Sequence, residues 1–123
     1  MAISPAAETF ADALDPQEEL DFRIELADLL EDGEAIDAAN WTLEVLAESS
    51  ALGLTVMSGG GRDPVLSDSD TAVTFWLKID PAFQDNAAFG SGGTALPLRI
   101  TAQTDAVPPR KRQRTFRVKV AQQ

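Results

Sequence analysis

Four segments of this 123-residue chain alternate apolar and polar residues with a period of two. Leu20, Phe22, Ile24 and Leu26 are separated by Asp21, Arg23 and Glu25; Val73, Phe75, Leu77 and Ile79 by Thr74, Trp76 and Lys78. The pattern returns at Leu96, Leu98, Ile100 and Ala102, and again at Phe116, Val118 and Val120. Successive side chains of a strand point to opposite faces, so each segment can bury one face and leave the other to water. Strands are expected near Leu20–Leu26, Ala39–Leu46, Leu52–Met57, Thr71–Ile79, Leu96–Thr104 and Thr115–Val120, the second element beginning from Ile36 after an Asp32-Gly33 turn. Leu26–Asp32 is read as a turn or a single helical turn. Six or seven short strands separated by Gly, Pro and Asp predict an all-β antiparallel sandwich, and the length is that of one domain.

The expected boundaries are an N-terminal arm over 1–14 and a sandwich over 15–123. Ser4-Pro5 is a plausible helix start, with Ser as cap and Pro in the first turn. A helix there would put Phe10 and Leu14 on one face, docked on a neighbouring subunit or on its own domain. Trp41 alternates with Leu43 and Val45 and should face the core. Trp76 points away from Phe75 and Leu77, so a loop covers it or a partner does. Two long loops, Ser58–Asp70 and Asp80–Gly93, separate strands, and the second carries Phe83 and Phe89.

Composition removes most chemistry. Cysteine, histidine and tyrosine are absent, which excludes disulfides, thiol chemistry, the commonest general base and the commonest transition-metal ligand. Gly59-Gly60-Gly61-Arg62 lacks the Gly-Lys-Ser/Thr ending of a phosphate loop, and Gly90-Ser91-Gly92-Gly93 leads into a β-like run. No carboxylate pair stands out as a glycosidase pair. Asp68, Asp70, Asp80 and Asp85 are hard oxygen donors at loop ends, but their spacing is not that of a calcium loop. No apolar run is long enough for a membrane span, and the first residues lack the basic start and apolar stretch of a secretory signal. No catalytic, cofactor or metal residue is assigned, and no enzymatic activity is expected.

Charge is unevenly placed. The net charge is −10, yet Arg110-Lys111-Arg112-Gln113-Arg114-Thr115-Phe116-Arg117-Val118-Lys119 contains no acid. The overall acidity and the lack of an aromatic platform beside the basic tract argue against nucleic acid. Pairing with acidic residues is expected instead, within the domain or between copies. If the first strand lay beside the last, Asp21 and Glu25 would face Arg117 and Lys119.

The stretch Asp15-Pro16, Leu20-Asp21-Phe22, Asp32-Gly33-Glu34-Ala35-Ile36 and Trp41-Thr42 resembles the opening of the short immunoglobulin-like fiber–tail adaptor proteins of tailed phages. Val73-Thr74-Phe75-Trp76-Leu77 is similar to that family's middle strand and Arg114–Val120 to its closing one. The family's second acidic residue after Gly is Glu34 here, and its Asp-Trp pair has no counterpart after Leu26. The resemblance implies an immunoglobulin-like sandwich and a non-enzymatic virion protein, assembled in the bacterial cytoplasm, that links tail or connector to fibers. Its expected partners are other virion proteins and copies of itself. A capsid decoration protein is the first alternative; a carbohydrate- or calcium-binding module is the second. The contact residues expected are Phe10, Leu14, Trp76, Phe83, Phe89, Arg110, Lys111, Arg112 and Arg114.

Overall fold

The computed structural model describes residues 8–10, 13–26, 30, 33–67, 71–90 and 92–122. Two sheets face each other. Sheet I contains β1 (Glu8–Thr9), β8 (Lys111–Val120), β7 (Thr94–Thr104) and β3 (Ile36–Val45), in that order. Sheet II is ordered β2 (Leu20–Glu25), β6 (Ala72–Ile79), β4 (Leu54–Val56), and β5 (Val65–Ser67) shares with β4 the far edge of β6. Every pairing is antiparallel except β1 with β8. A single-turn helix, α1 (Ala47–Ser50), carries the chain from β3 to β4. Its buried Ser49 hydroxyl donates to the Pro97 carbonyl at 2.8 Å, which removes the cost of enclosing both groups.

The alternation read from the sequence decides which face is buried. Phe22 and Ile24 of β2, Val73, Phe75, Leu77 and Ile79 of β6, Leu96, Leu98 and Ile100 of β7, and Phe116, Val118 and Val120 of β8 form one core. Phe10 joins it at the open side, with ring centroids 5.0 Å from Phe22 and 5.9 Å from Phe116. Trp41 is half-buried against the same core.

Three expectations change. β2 pairs with β6, so Asp21 lies opposite Trp76, not beside Arg117. The last strand's outer edge is taken by the N-terminal segment: the amides of Phe10 and Leu14 donate to Arg117 and Lys119, and Ala121 donates back to Leu14. Glu25 accepts instead from Arg23, two residues away, at 2.6 Å. Second, the Ser58–Asp70 loop holds the strand β5, whose Leu66 packs inward opposite Val73. Third, Glu8–Thr9 forms a strand, so the described part of the first fourteen residues is extended rather than helical. A two-residue strand with a hydrogen-bonding edge to dock on gains ladder bonds that a short, isolated helix would not.

Candidate protein-contact surface

Most of the expected contact residues are used inside the domain. Leu14 and Phe89 are each 0% exposed, so neither offers its side chain to a partner. Phe89 is held by a short 3-10 turn over Ala87–Phe89, where the Asn86 side chain accepts from Ala88, and its carbonyl accepts from Gln122 at 2.8 Å. Phe83, half-buried, lies flat on Gly53: a Cβ there would come within 2.7 Å of it, and Gly53 also holds a φ of +88° that only glycine adopts freely. Phe10 is half-buried in the aromatic cluster. Trp76 lies under the guanidinium of Arg62, 5.1 Å from the ring, and Arg62 is fixed in turn by Glu19. Trp76 is half-buried, with Arg62 of the Ser58–Asp70 loop over its ring.

The basic tract divides by strand parity. Arg112 and Arg114 share the inward side of β8 with Phe116 and are half-buried. Arg112 lines an apolar void of about 10 Å³ with Leu26, Leu30, Ile36 and Ile100, and Arg114 is engaged within the chain. Arg110 is bound to Glu34 at the root of the β7–β8 hairpin, its Nη2 2.8 Å from Oε1 and its Nε 3.2 Å from Oε2. Lys111 remains exposed.

The outer side of sheet I is where cations are left over. Lys111, Arg117 and Lys119 of β8 project there, exposed and without an ion pair among the described residues. Gln113, Thr101, Gln103 and Thr42 lie among them, and Arg99 lies 3.8 Å from Glu44 across the β3–β7 pair. On the sheet II side, Arg23 is paired with Glu25 and Arg62 with Glu19, while Lys78 of β6 has no ion pair among the described residues.

One feature of the surface was not foreseen. Val107, at the tip of the β7–β8 hairpin, is 98% exposed, and Pro108 and Pro109 beside it are exposed too. The signal was an apolar residue outside any alternating segment and next to Pro-Pro, which marks a turn, not a strand. The acidic loops give less. Asp80 caps a 3-10 turn by accepting from Ala82 at 3.0 Å, while Asp68 and Asp70 lie outside the described residues. Among the described residues no three acidic side chains are grouped so as to hold a metal ion.

A sealed core, a flat cationic sheet face and a projecting loop are features for contact with another macromolecule. The family model described as Podophage GP4 fiber-tail adaptor protein gp77 matches residues 14–119. No curated protein and no solved structure matches the chain.

Proposed function

The chain belongs to the podophage GP4 fiber-tail adaptor family, and on that premise we propose that it is a non-enzymatic part of the phage tail that joins tail or connector to fibers by protein–protein contact. The observation that carries this reading is the family match, which runs from the bridge residue Leu14 to Lys119 and so takes in both sheets. The geometry supports it. Apolar side chains fill the space between the sheets. What the domain offers a partner is surface: the outer face of β7 and β8 with Lys111, Arg117 and Lys119, and the hairpin tip. Unpaired exposed cations favour an acidic counter-surface and set orientation and association rate more than affinity. Repetition of the domain around the tail axis, copy beside copy, suits an adaptor that must match the tail's symmetry.

Counting the copies of this chain in a purified particle, by quantitative mass spectrometry against the major capsid protein, tests the reading. A few to a few dozen copies are expected. A number comparable to the capsid protein would make it a decoration protein instead, and absence from the particle would end the virion reading.

A further inference from the structure

We propose that the outer edge of β3, from Trp41 to Val45, pairs antiparallel with the same segment of a second copy, so that two copies of sheet I become one continuous sheet. The inference stands on the strand edge and not on the adaptor reading. β3 lies at the end of sheet I, and among the described residues no strand pairs with its outer side. Parity fixes what that side presents. The Leu46 amide donates to the Pro97 carbonyl at 3.4 Å, one step beyond the facing residues Val45 and Leu98. Hydrogen-bonded and non-hydrogen-bonded pairs alternate along an antiparallel ladder, so Glu44 and Thr42 are the residues that bond to Arg99 and Thr101. The N–H and C=O groups of Trp41, Leu43 and Val45 therefore point away from β7, into the open edge. Their side chains are half-buried against the core, while Thr42 and Glu44 are exposed on the outer face.

Open strand edges are ordinarily guarded by charge, by proline or by shortness. On β2 the Leu26 amide donates to the Thr71 carbonyl, so by the same parity the outward groups there belong to Asp21, Arg23 and Glu25, all charged and exposed. β1 is two residues long, and β4 and β5 are three each. Trp41–Val45 has no such guard: it holds no proline and no lysine, and its single charge, Glu44, lies 3.8 Å from Arg99. The segment is also complementary to itself. A two-fold axis through Leu43, perpendicular to the sheet, sets Leu43 against the partner's Leu43, Trp41 against the partner's Val45 and Thr42 against the partner's Glu44. Every outward amide then meets an outward carbonyl. An aromatic ring opposite a β-branched side chain is a favourable cross-strand pair, and no like charges meet. Centring the axis on Glu44 would oppose two carboxylates; centring it elsewhere runs the strand into the irregular stretch between Ile36 and Trp41 or into α1. A two-fold contact closes at two copies. Because the axis is perpendicular to the sheet, both copies turn Lys111, Arg117 and Lys119 to the same side.

Sedimentation equilibrium of the purified full chain, over a dilution series reaching about 1 mM, tests the proposal. The expected result is a dimer that dissociates on dilution, because so short an edge buries no more than a weak, transient interface does. Thr42→Glu sets acid against acid on both sides of the axis and should raise the dimer Kd about tenfold or more, whereas Thr42→Lys, facing Glu44, should lower it. Opposite effects at one exposed position cannot come from a loss of folding, which would act in one direction. Thr42→Cys combined with Glu44→Cys should give a disulfide-linked dimer on oxidation. The chain has no cysteine of its own, and facing residues of a non-hydrogen-bonded pair, as these two are in this register, stand about 4.5 Å apart between Cα atoms. A monomer at every concentration, masses beyond two copies, the same response to Glu and Lys at position 42, or no disulfide-linked dimer would overturn the proposal. The adaptor reading is decided separately, by the copies per particle, and neither result settles the other.

Discussion

Arg110 grips Glu34 at two points, and the carboxylate is 4% exposed while the guanidinium side chain is 35% exposed. The pair joins the start of β3 to the start of β8, two elements at opposite sides of β7 in sheet I. Removing one partner leaves the other's charge enclosed and unanswered, which is more costly than the pair itself is stabilising. Arg110→Ala is expected to lower stability by about 2 kcal/mol, below the range for fully buried pairs because water reaches the guanidinium. Arg110→Lys should recover part of that, since an ammonium cannot make the two-point contact. Urea unfolding measures both. A loss below about 0.5 kcal/mol for Arg110→Ala, the range of ordinary surface substitutions, would show that the pair does not brace the hairpin.

Leu14 and Phe10 tie the N-terminal segment to the sandwich. Leu14 is completely enclosed and bridges Val120, and Phe10 stacks on Phe116 while touching Phe22. Leu14→Ala is expected to destabilise the domain by about 3 kcal/mol, and Phe10→Ala by about 2 kcal/mol because its ring is only half-buried. Thermal unfolding of the purified variants checks this. A Leu14→Ala protein that melts like the parent would mean that the segment contributes nothing to the fold.

The strands that alternate cleanly in the sequence, around Phe22, Phe75, Leu98 and Val118, are the strands of the sandwich, because burial of one face is all that a period of two encodes. Pairing is a different matter. Nothing in Leu20–Leu26 says that its neighbour is β6 and not β8; that follows from Phe10 and Leu14 occupying the edge of β8. β5 escaped notice because only Leu66 of its three residues turns inward, too few to show a period. For the surface, Lys111 was legible as exposed. Arg110, Arg112 and Arg114 were not legible as engaged residues, since strand parity and the Glu34 contact depend on where β8 begins.

Arg62 covers Trp76, and Glu19 holds Arg62 over the ring. A cation at a partly exposed indole is worth about 0.5–1 kcal/mol. Arg62→Ala is expected to cost about that much and to make Trp76 more accessible to acrylamide quenching, while Trp41 stays as it was. Recording the quenching in a Trp41→Phe background isolates the signal. Unchanged quenching would show that other atoms protect the ring.

Asp37 sits at the irregular start of β3, where its carboxylate accepts from the Asn40 side chain at 2.8 Å and from the Ala39 amide at 3.0 Å. Both donors favour the ionised form, Asn40 foremost, and hold the carboxyl below the ordinary value of 3.8. Because the folded state binds this proton more weakly than the unfolded chain, the contribution is fully present above the unfolded pKa. It is lost as pH falls through the folded one. Asn40→Ala is expected to raise the Asp37 midpoint toward the ordinary value, read from the carboxyl carbon by NMR titration. A midpoint that does not move would assign the effect to the Ala39 amide alone.

Among the described residues Lys111, Arg117 and Lys119 make no ion pair, whereas Arg23 is paired with Glu25. Exposed, unpaired charges contribute little to folding, so Arg117→Glu with Lys119→Glu should change stability by less than about 0.5 kcal/mol per site. Arg23→Glu removes the bond to Glu25 and sets two acids side by side on sheet II, yet that pair is exposed and worth at most about 1 kcal/mol. The distinction therefore lies in assembly. Reversal on sheet I is expected to reduce incorporation into particles, and less so as salt rises, because exposed charge pairs are screened over about 8 Å at physiological ionic strength. Reversal of Arg23 should leave incorporation near normal. Equal effects of the two, measured as copies per particle, would show that total charge and not the face of sheet I governs assembly.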